Sequence, residues 1–394
     1  MAEIITDAPA YASAPHPVRA AAGATTTTIA CVLPVFLVGG LAVQLGEELR
    51  FSPAGLGLAV SVYFGVSALA SVPSGRLVER WGPTAIARIG IVLSAASLLA
   101  IGLFARSFPL LVALLAVSAG ANALGQLASN AALAQQVPPG RQGFSFGVKQ
   151  AAIPVSTLLA GAAVPTVALT VGWRWAFITA AGTALAALAL VPRGHRPPQR
   201  RATGPDGGRA TAALVTIGVA ATLAAGAANA LGTFLVDSAV VRGIGPALAG
   251  LTLTLGSAIC VAGRVLAGWM ADRRSGGHIA TIAGMLVIGA LGLTLLARSG
   301  PVTLTVGVAL GFGLGWAWPG LMNFAVVRLH PQAPATATSI TQTGVYAGGA
   351  VGPLALGAVA THADYPMMWL TAAVAMLLAA ALMLVGGRML SARQ

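Results

Sequence analysis

Runs of about twenty apolar residues, broken by short groups rich in Pro, Gly and charge, repeat along the whole chain. Each run is long enough to cross a hydrocarbon core of ~30 Å as a helix. The pattern predicts spans at 25–46, 54–73, 84–105, 109–135, 144–170, 173–191, 211–236, 247–270, 279–297, 301–328, 334–361 and 365–386. Turn chemistry fills the breaks, as in Phe51-Ser52-Pro53, Pro138-Pro139-Gly140, Gly243-Ile244-Gly245-Pro246 and Pro331-Gln332-Ala333-Pro334. Period-two alternation is absent, and backbone in lipid must satisfy its own hydrogen bonds. The expected fold is therefore an all-α integral membrane bundle of twelve transmembrane helices.

Composition sharpens this. Hydrophobic residues make up 57% of the chain, charged residues 8%, and the mean hydropathy is +0.86, which excludes a soluble domain. The net charge of +13 can suggest nucleic acid, but the placement of the 22 basic residues favours a membrane. Most fall in the tails and the even-numbered loops, leaving Arg50, Arg106, Arg174, Arg242 and Arg298 in the odd ones. The positive-inside rule then puts both termini in the cytoplasm, and the expected location is the plasma (inner) membrane. Residues 1–24 lack the apolar core of a signal peptide and read as a disordered cytoplasmic tail, with a second tail at 389–394. Residues 192–210 carry Arg193, Arg196, Arg200 and Arg201 and divide the spans six and six, into halves 25–191 and 211–388. These arginines can meet anionic lipid headgroups at about 1 kcal/mol each, or serve as a solvated linker. Cys31 and Cys260 lie in spans and read as small packing residues, so neither metal nor cofactor is expected.

One charged phrase occurs twice. Gly75-Arg76-Leu77-Val78-Glu79-Arg80 recurs 193 positions later as Gly268-Trp269-Met270-Ala271-Asp272-Arg273. At offsets of 192 or 193, Pro53, Pro139, Gln150 and the segment 177–181 also find partners, at Pro246, Pro331, Gln342 and 369–373. Two halves with even span counts form a parallel repeat, a transporter plan with its site between the halves. Twelve spans, a basic central loop and Gly-x-x-x-acid-Arg phrases after the second and eighth spans resemble the major facilitator superfamily. The first copy departs from the usual pattern with Glu79 in place of Asp, the second with Ser275 in place of Gly. Gly147-Val148-Lys149-Gln150 and Ala262-Gly263-Arg264 further resemble the cyanate- and nitroimidazole-permease-like branch. The superfamily resemblance implies that Gly75, Arg76, Glu79, Arg80, Gly268, Asp272 and Arg273 form a gate on the cytoplasmic side. The alternative is that they are loop charges that fix topology.

Other polar residues inside spans are the candidates for substrate contact. Lys149 lies eight residues beyond Arg141, about 12 Å into its span. An amine at that depth faces a wet cavity or a partner, or snorkels to the headgroups. Arg264 can touch substrate or pair with Asp272 or helix carbonyls. Asn122, Gln126 and Asn130 recur four apart and share one face; Gln150, Asn229, Asn323 and Gln342 mark the other spans. Such amides face the bundle, as site or as interhelical glue. No carboxylate falls mid-span, which leaves Asp237, at the outer end of span 7, as the candidate for proton binding. Trp173, Trp175 and Trp369, near span ends, read as interfacial belt residues.

The leading function is secondary active transport of a small polar or anionic solute by alternating access, with proton coupling as one driver. A uniporter or a drug or metabolite exporter of the same fold is the alternative. No Gly-x-x-x-x-Gly-Lys-Ser/Thr loop is present to use ATP. The five histidines lie in tails or at loop edges, which disfavours an integral membrane enzyme and nominates no catalytic residue. Expected partners are a small-molecule substrate, protons and membrane lipids, with no nucleic acid, and the chain is expected to act as a monomer.

Overall fold

The computed structural model describes residues 17–51, 53–191 and 208–391. Its first stretch holds α1 (Pro17–Gly40), α2 (Ala42–Leu49), α3 (Pro53–Trp81), α4 (Pro83–Phe104), α5 (Phe108–Gln136), α6 (Gln142–Ala163), α7 (Leu169–Val171) and α8 (Trp173–Ala186). Then come α9 (Gly208–Val241), α10 (Pro246–Ala271), α11 (His278–Leu296), α12 (Pro301–Leu310), α13 (Pro319–Leu329), α14 (Pro334–His362) and α15 (Tyr365–Ser391). Prolines open many of these helices, where a missing N–H costs nothing. Gly82 (φ 83°) and Gly172 (φ 99°) make the turns into α4 and α8 in a conformation that side chains rarely adopt.

Eleven of the predicted spans are helices long and apolar enough to cross a membrane. The sixth is shorter than predicted. Its 14 α-helical residues tighten into a three-residue 3-10 turn at Ala187–Ala189. Pro192 then disfavours helix at the residue before it. The first helix starts at Pro17, so residues 17–24 are helix and not tail, with Ala20 and Ala24 buried. Residues 1–16, 192–207 and 392–394 of the predicted tails and linker lie outside the described residues.

Three predicted spans are interrupted. Span 1 breaks after Gly39-Gly40, where poor helix formers meet a close approach: a methyl on Gly40 would sit 3.1 Å from the Ala160 carbonyl carbon. Span 5 widens into a π-turn at Val164–Ala168, around Pro165. Span 10 does the same at Gly311–Gly315 before restarting at Pro319.

Buried apolar side chains form two clusters. One runs from Ala30 to Val191 and adds Ala335. The other runs from Leu214 to Met383 and adds Ala20, Ala24, Leu133, Val137 and Phe146. The stretches also pack on each other, chiefly α3 against α14 and α6 against α10.

Candidate functional site

The repeated phrase sits at the arginine-rich end of the bundle, and each copy reaches across to the other stretch. Asp272, closing α10, accepts hydrogen bonds from the backbone N–H groups of Gly143 (2.7 Å) and Phe144 (2.8 Å). These belong to the second and third residues of α6. Glu79, near the end of α3, accepts from Ala335 (2.9 Å) and Thr336 (3.3 Å), the second and third residues of α14. A helix N-terminus presents unpaired N–H groups and partial positive charge, so a carboxylate suits each place.

Close helix contact makes this reach possible. A methyl built on Gly268 would run into the Gly143 carbonyl oxygen, and one on Gly75 would lie 2.9 Å from Ser339 Cβ. Arg273 stacks on Trp269 at 3.4 Å from the ring centroid, while Arg76 is exposed. Arg328 donates to the Pro139 carbonyl (3.3 Å), adding a further tie at this end. Gly140, Arg141, Phe144, Trp269, Asp272 and Arg273 line a surface groove of about 450 Å³ beside the joint.

Further along the same helices lies a buried polar centre. Lys149 is fully buried on α6; its Nζ donates to Gln126 Oε1 and, at 3.0 Å, to Asn130 Oδ1, both on α5. The four-residue spacing on α5 sets both amides side by side. Arg264, 2% exposed, projects from α10 and donates Nη1 to the Gln150 carbonyl (2.6 Å). Its Nε and Nη2 go to the Trp316 carbonyl at 3.3 and 3.0 Å. A proline makes the first acceptor and a π-turn the second. Pro154, four residues after Gln150, has no N–H to take that carbonyl into the helix ladder, and the π-turn before Pro319 leaves Trp316 outside one. A methyl on Gly147 would collide with the Arg264 carbonyl, so α6 and α10 touch backbone to backbone here.

A cavity of about 40 Å³ lies on the side of Arg264 away from the joint, bounded by Pro154 and Thr157 of α6, Ser257 and Cys260 of α10, and Trp316. Unpaired buried polar atoms remain nearby along the chain: Gln150 Oε1, Asn130 Nδ2, and both side-chain polar atoms of Asn323.

The other candidates divide. Asn122 donates to Ser67 Oγ (3.3 Å) and bridges α5 to α3. Gln342 is buried on α14, one turn before Tyr346, which stacks on Phe64 of α3 at 6.2 Å. Asn229 bonds to its own helix at Ala225 (2.8 Å), a local role. Asp237 is exposed at the end of α9, away from Lys149.

Sequence reasoning missed a cluster at the opposite end. Glu48 accepts from Trp173 Nε1 (2.6 Å) and pairs with Arg174 (2.7 Å), whose guanidinium also reaches the carbonyls of Gly102 and Ala105. The Trp173 indole N–H, with Arg174 beside it, holds the Glu48 carboxyl below its ordinary range. In the second stretch Arg242 donates likewise to the carbonyls of Leu296 and Arg298. Trp173 and Trp369 are buried under tertiary packing and do not form a lipid-facing belt; Trp175 is 52% exposed. Adjacent Trp173-Arg174 was the available signal.

The helices and their crossed joints set the frame for comparison. The family model of the Major Facilitator Superfamily matches residues 21–219 and 217–389. The chain belongs to the Major Facilitator Superfamily. It is a membrane transporter of that superfamily. A chloramphenicol resistance protein of Streptomyces lividans is 27% identical over 340 residues, covering 83% of this chain and 85% of the relative. That relative gives the narrower cyanate- and nitroimidazole-permease-like resemblance no support. The fold is similar to the proton:xylose symporter XylE bound to 6-bromo-6-deoxy-D-glucose, with a TM-score of 0.78, 16% identity and coverage of 94% and 95% of the two chains. It is also similar to the human organic anion transporter MFSD10, with a TM-score of 0.72, 17% identity and coverage of 94% and 100%.

Proposed function

We propose that this superfamily member carries a small organic anion, or an electron-rich polar solute, by alternating access. Two six-helix halves rock about Lys149 and Arg264, and the short α8 segment serves as the sixth of twelve spans. The observation that carries the reading is the meeting of two buried cations from opposite halves, Lys149 with two neutral amides and Arg264 with two carbonyls. Each keeps N–H capacity beyond these bonds that an acceptor on a solute can use. Cations at this depth are costly and mark solute or ion paths. Under the positive-inside assignment the Glu79 and Asp272 joints lie at the cytoplasmic side, both termini face the cytoplasm, and the state described is closed inward. The chain acts as a monomer in the plasma membrane.

The test is ligand-dependent melting of the purified protein, with benzoate and a panel of other small carboxylates as probes. A ligand present at 100 times its Kd stabilises by about 2.7 kcal/mol. At least one carboxylate should raise the melting temperature of the wild type and leave Lys149→Gln unmoved. Equal responses in both proteins would remove Lys149 from the site.

A second reading has its own support, the chloramphenicol resistance relative: export of a neutral drug. Expression of the chain would then raise the chloramphenicol tolerance of a sensitive host, and Arg264→Ala would abolish the gain. No change in tolerance dismisses it.

A further inference from the structure

A proton-coupled carrier needs a group that binds a proton within the region both sides can reach. Among the described residues, every carboxylate sits at an end of the bundle. Glu79 and Asp272 cap α14 and α6. Glu48 is tied to Trp173 and Arg174, Asp364 caps the start of α15 at Met367, and Glu47 and Asp237 are exposed. The buried centre holds Arg264, which does not release its proton. It also holds Cys31, Tyr63 and Tyr346, which are neutral with their protons on, so giving one up creates a buried anion. Lys149 remains.

The chain uses arginine for 21 of its 22 cations and lysine once, at position 149. Arginine is a permanent charge; lysine can exist in two forms. The surroundings of Lys149 fit both. An ammonium has three N–H donors and a neutral amine two, with a lone pair. Gln126 and Asn130 supply two acceptors, so both hydrogen bonds survive loss of the proton. Among the described residues no carboxylate opposes the charge. Of the other helices packed on α6, α1 brings the Cys31 thiol, α10 brings the Arg264 cation, α5 brings only the two amides, and α13 brings Arg328 at its far end, on the Pro139 carbonyl. Arg264 sits one backbone contact away, on Gln150.

We propose that Lys149 is the carrier of the coupling proton, in place of a carboxylate. It rests on the reading of Lys149 as part of the transport site. In the cycle one proton adds to the Nζ lone pair from one side of the membrane. It leaves from the same atom to the other side, and no other bond changes. The charged form draws an anionic solute to the centre; the neutral form lets it go. Lysine is required because the same position must attract in one stroke and release in the next.

A sole lysine makes the test direct. Protein grown with ε-carbon-labelled lysine and placed in lipid nanodiscs gives one labelled signal, which Lys149→Arg removes. The expected result is a reversible shift of that signal, as the amine changes charge state, within the pH range over which the protein stays folded. Coupling also demands that the two conformations differ in proton affinity. The midpoint is therefore expected to move in Asp272→Asn, which loosens the joint at the arginine-rich end, and in Glu79→Gln as a second variant. A signal that stays at the ammonium position to about pH 10 overturns the proposal. So does a midpoint identical in wild type and both variants. These outcomes are separate from the carboxylate melting test: a permanently charged Lys149 still binds an anion, and a titrating Lys149 can serve a solute of another class.

Discussion

The two joints at the arginine-rich end grow from copies of one phrase, yet they hold differently. Asp272 spends each of its oxygens on one N–H of α6 at 2.7 and 2.8 Å. Glu79 places a single oxygen, Oε1, between two N–H groups of α14 at 2.9 and 3.3 Å. The longer side chain goes with the roomier contact. Gly75 faces the Ser339 side chain and the Ala335 carbonyl oxygen, at 2.9 and 3.0 Å from a built methyl, whereas Gly268 and Gly143 meet backbone to backbone at closer range. The comparison teaches that the phrase works as a reach. Its glycine sets how close the opposite helix comes, and its acid is chosen to span what is left.

The difference can be broken from the glycine side first. Gly268→Ala puts a methyl into the Gly143 carbonyl, an overpacking that costs about 1–3 kcal/mol. It should depress the melting temperature more than Gly75→Ala; an equal loss would mean that the two contacts are equally tight. Next come the acids. Asparagine at 272 must turn its NH₂ toward one of the two N–H donors, leaving it unpaired at about 1–3 kcal/mol. Glu79→Gln keeps an accepting oxygen and loses only the charge on a helix end, about 0.3–1 kcal/mol. Thiol labelling of an Ala271→Cys reporter at the joint should therefore speed up more in Asp272→Asn than in Glu79→Gln. The reverse order would overturn the two-oxygen account.

The smallest effect is expected at the opposite end, where the two stretches differ in chemistry. Glu48 is held below its ordinary range by Trp173 and Arg174, so its stabilisation is present above the usual carboxylate pKa and fades as pH falls through the lowered value. Arg242 has only carbonyl partners among those described and gives no such dependence. Glu48→Gln should flatten the acid limb of a melting-temperature profile slightly, since the pair is partly exposed. Arg242→Gln should lower the profile without changing its shape.

Much of this was legible in the chain. The spans follow from apolar run length, and the repeated phrase was visible because charge is scarce. The shared face of Asn122, Gln126 and Asn130 follows from helical spacing. What the phrase touches was not legible, because Glu79 and Ala335 meet only through tertiary packing across 256 positions. The same holds for Lys149 and its amides. Trp173 was misread because a tryptophan near a span end looks the same whether lipid or a carboxylate lies beside it. Arg264 was half legible: pairing with helix carbonyls was one expectation, and Pro154 marked which carbonyl would be open.

That proline carries a consequence for how firmly the molecule can be stabilised. Pro154→Ala would restore an N–H to α6, and the Gln150 carbonyl would then have two claimants, its own helix and Arg264 of α10. A change that helix propensity alone scores as an improvement would straighten one helix and slacken the grip between α6 and α10. Here the imperfection of one helix is the handle by which the other holds it, and repairing the first would release the second.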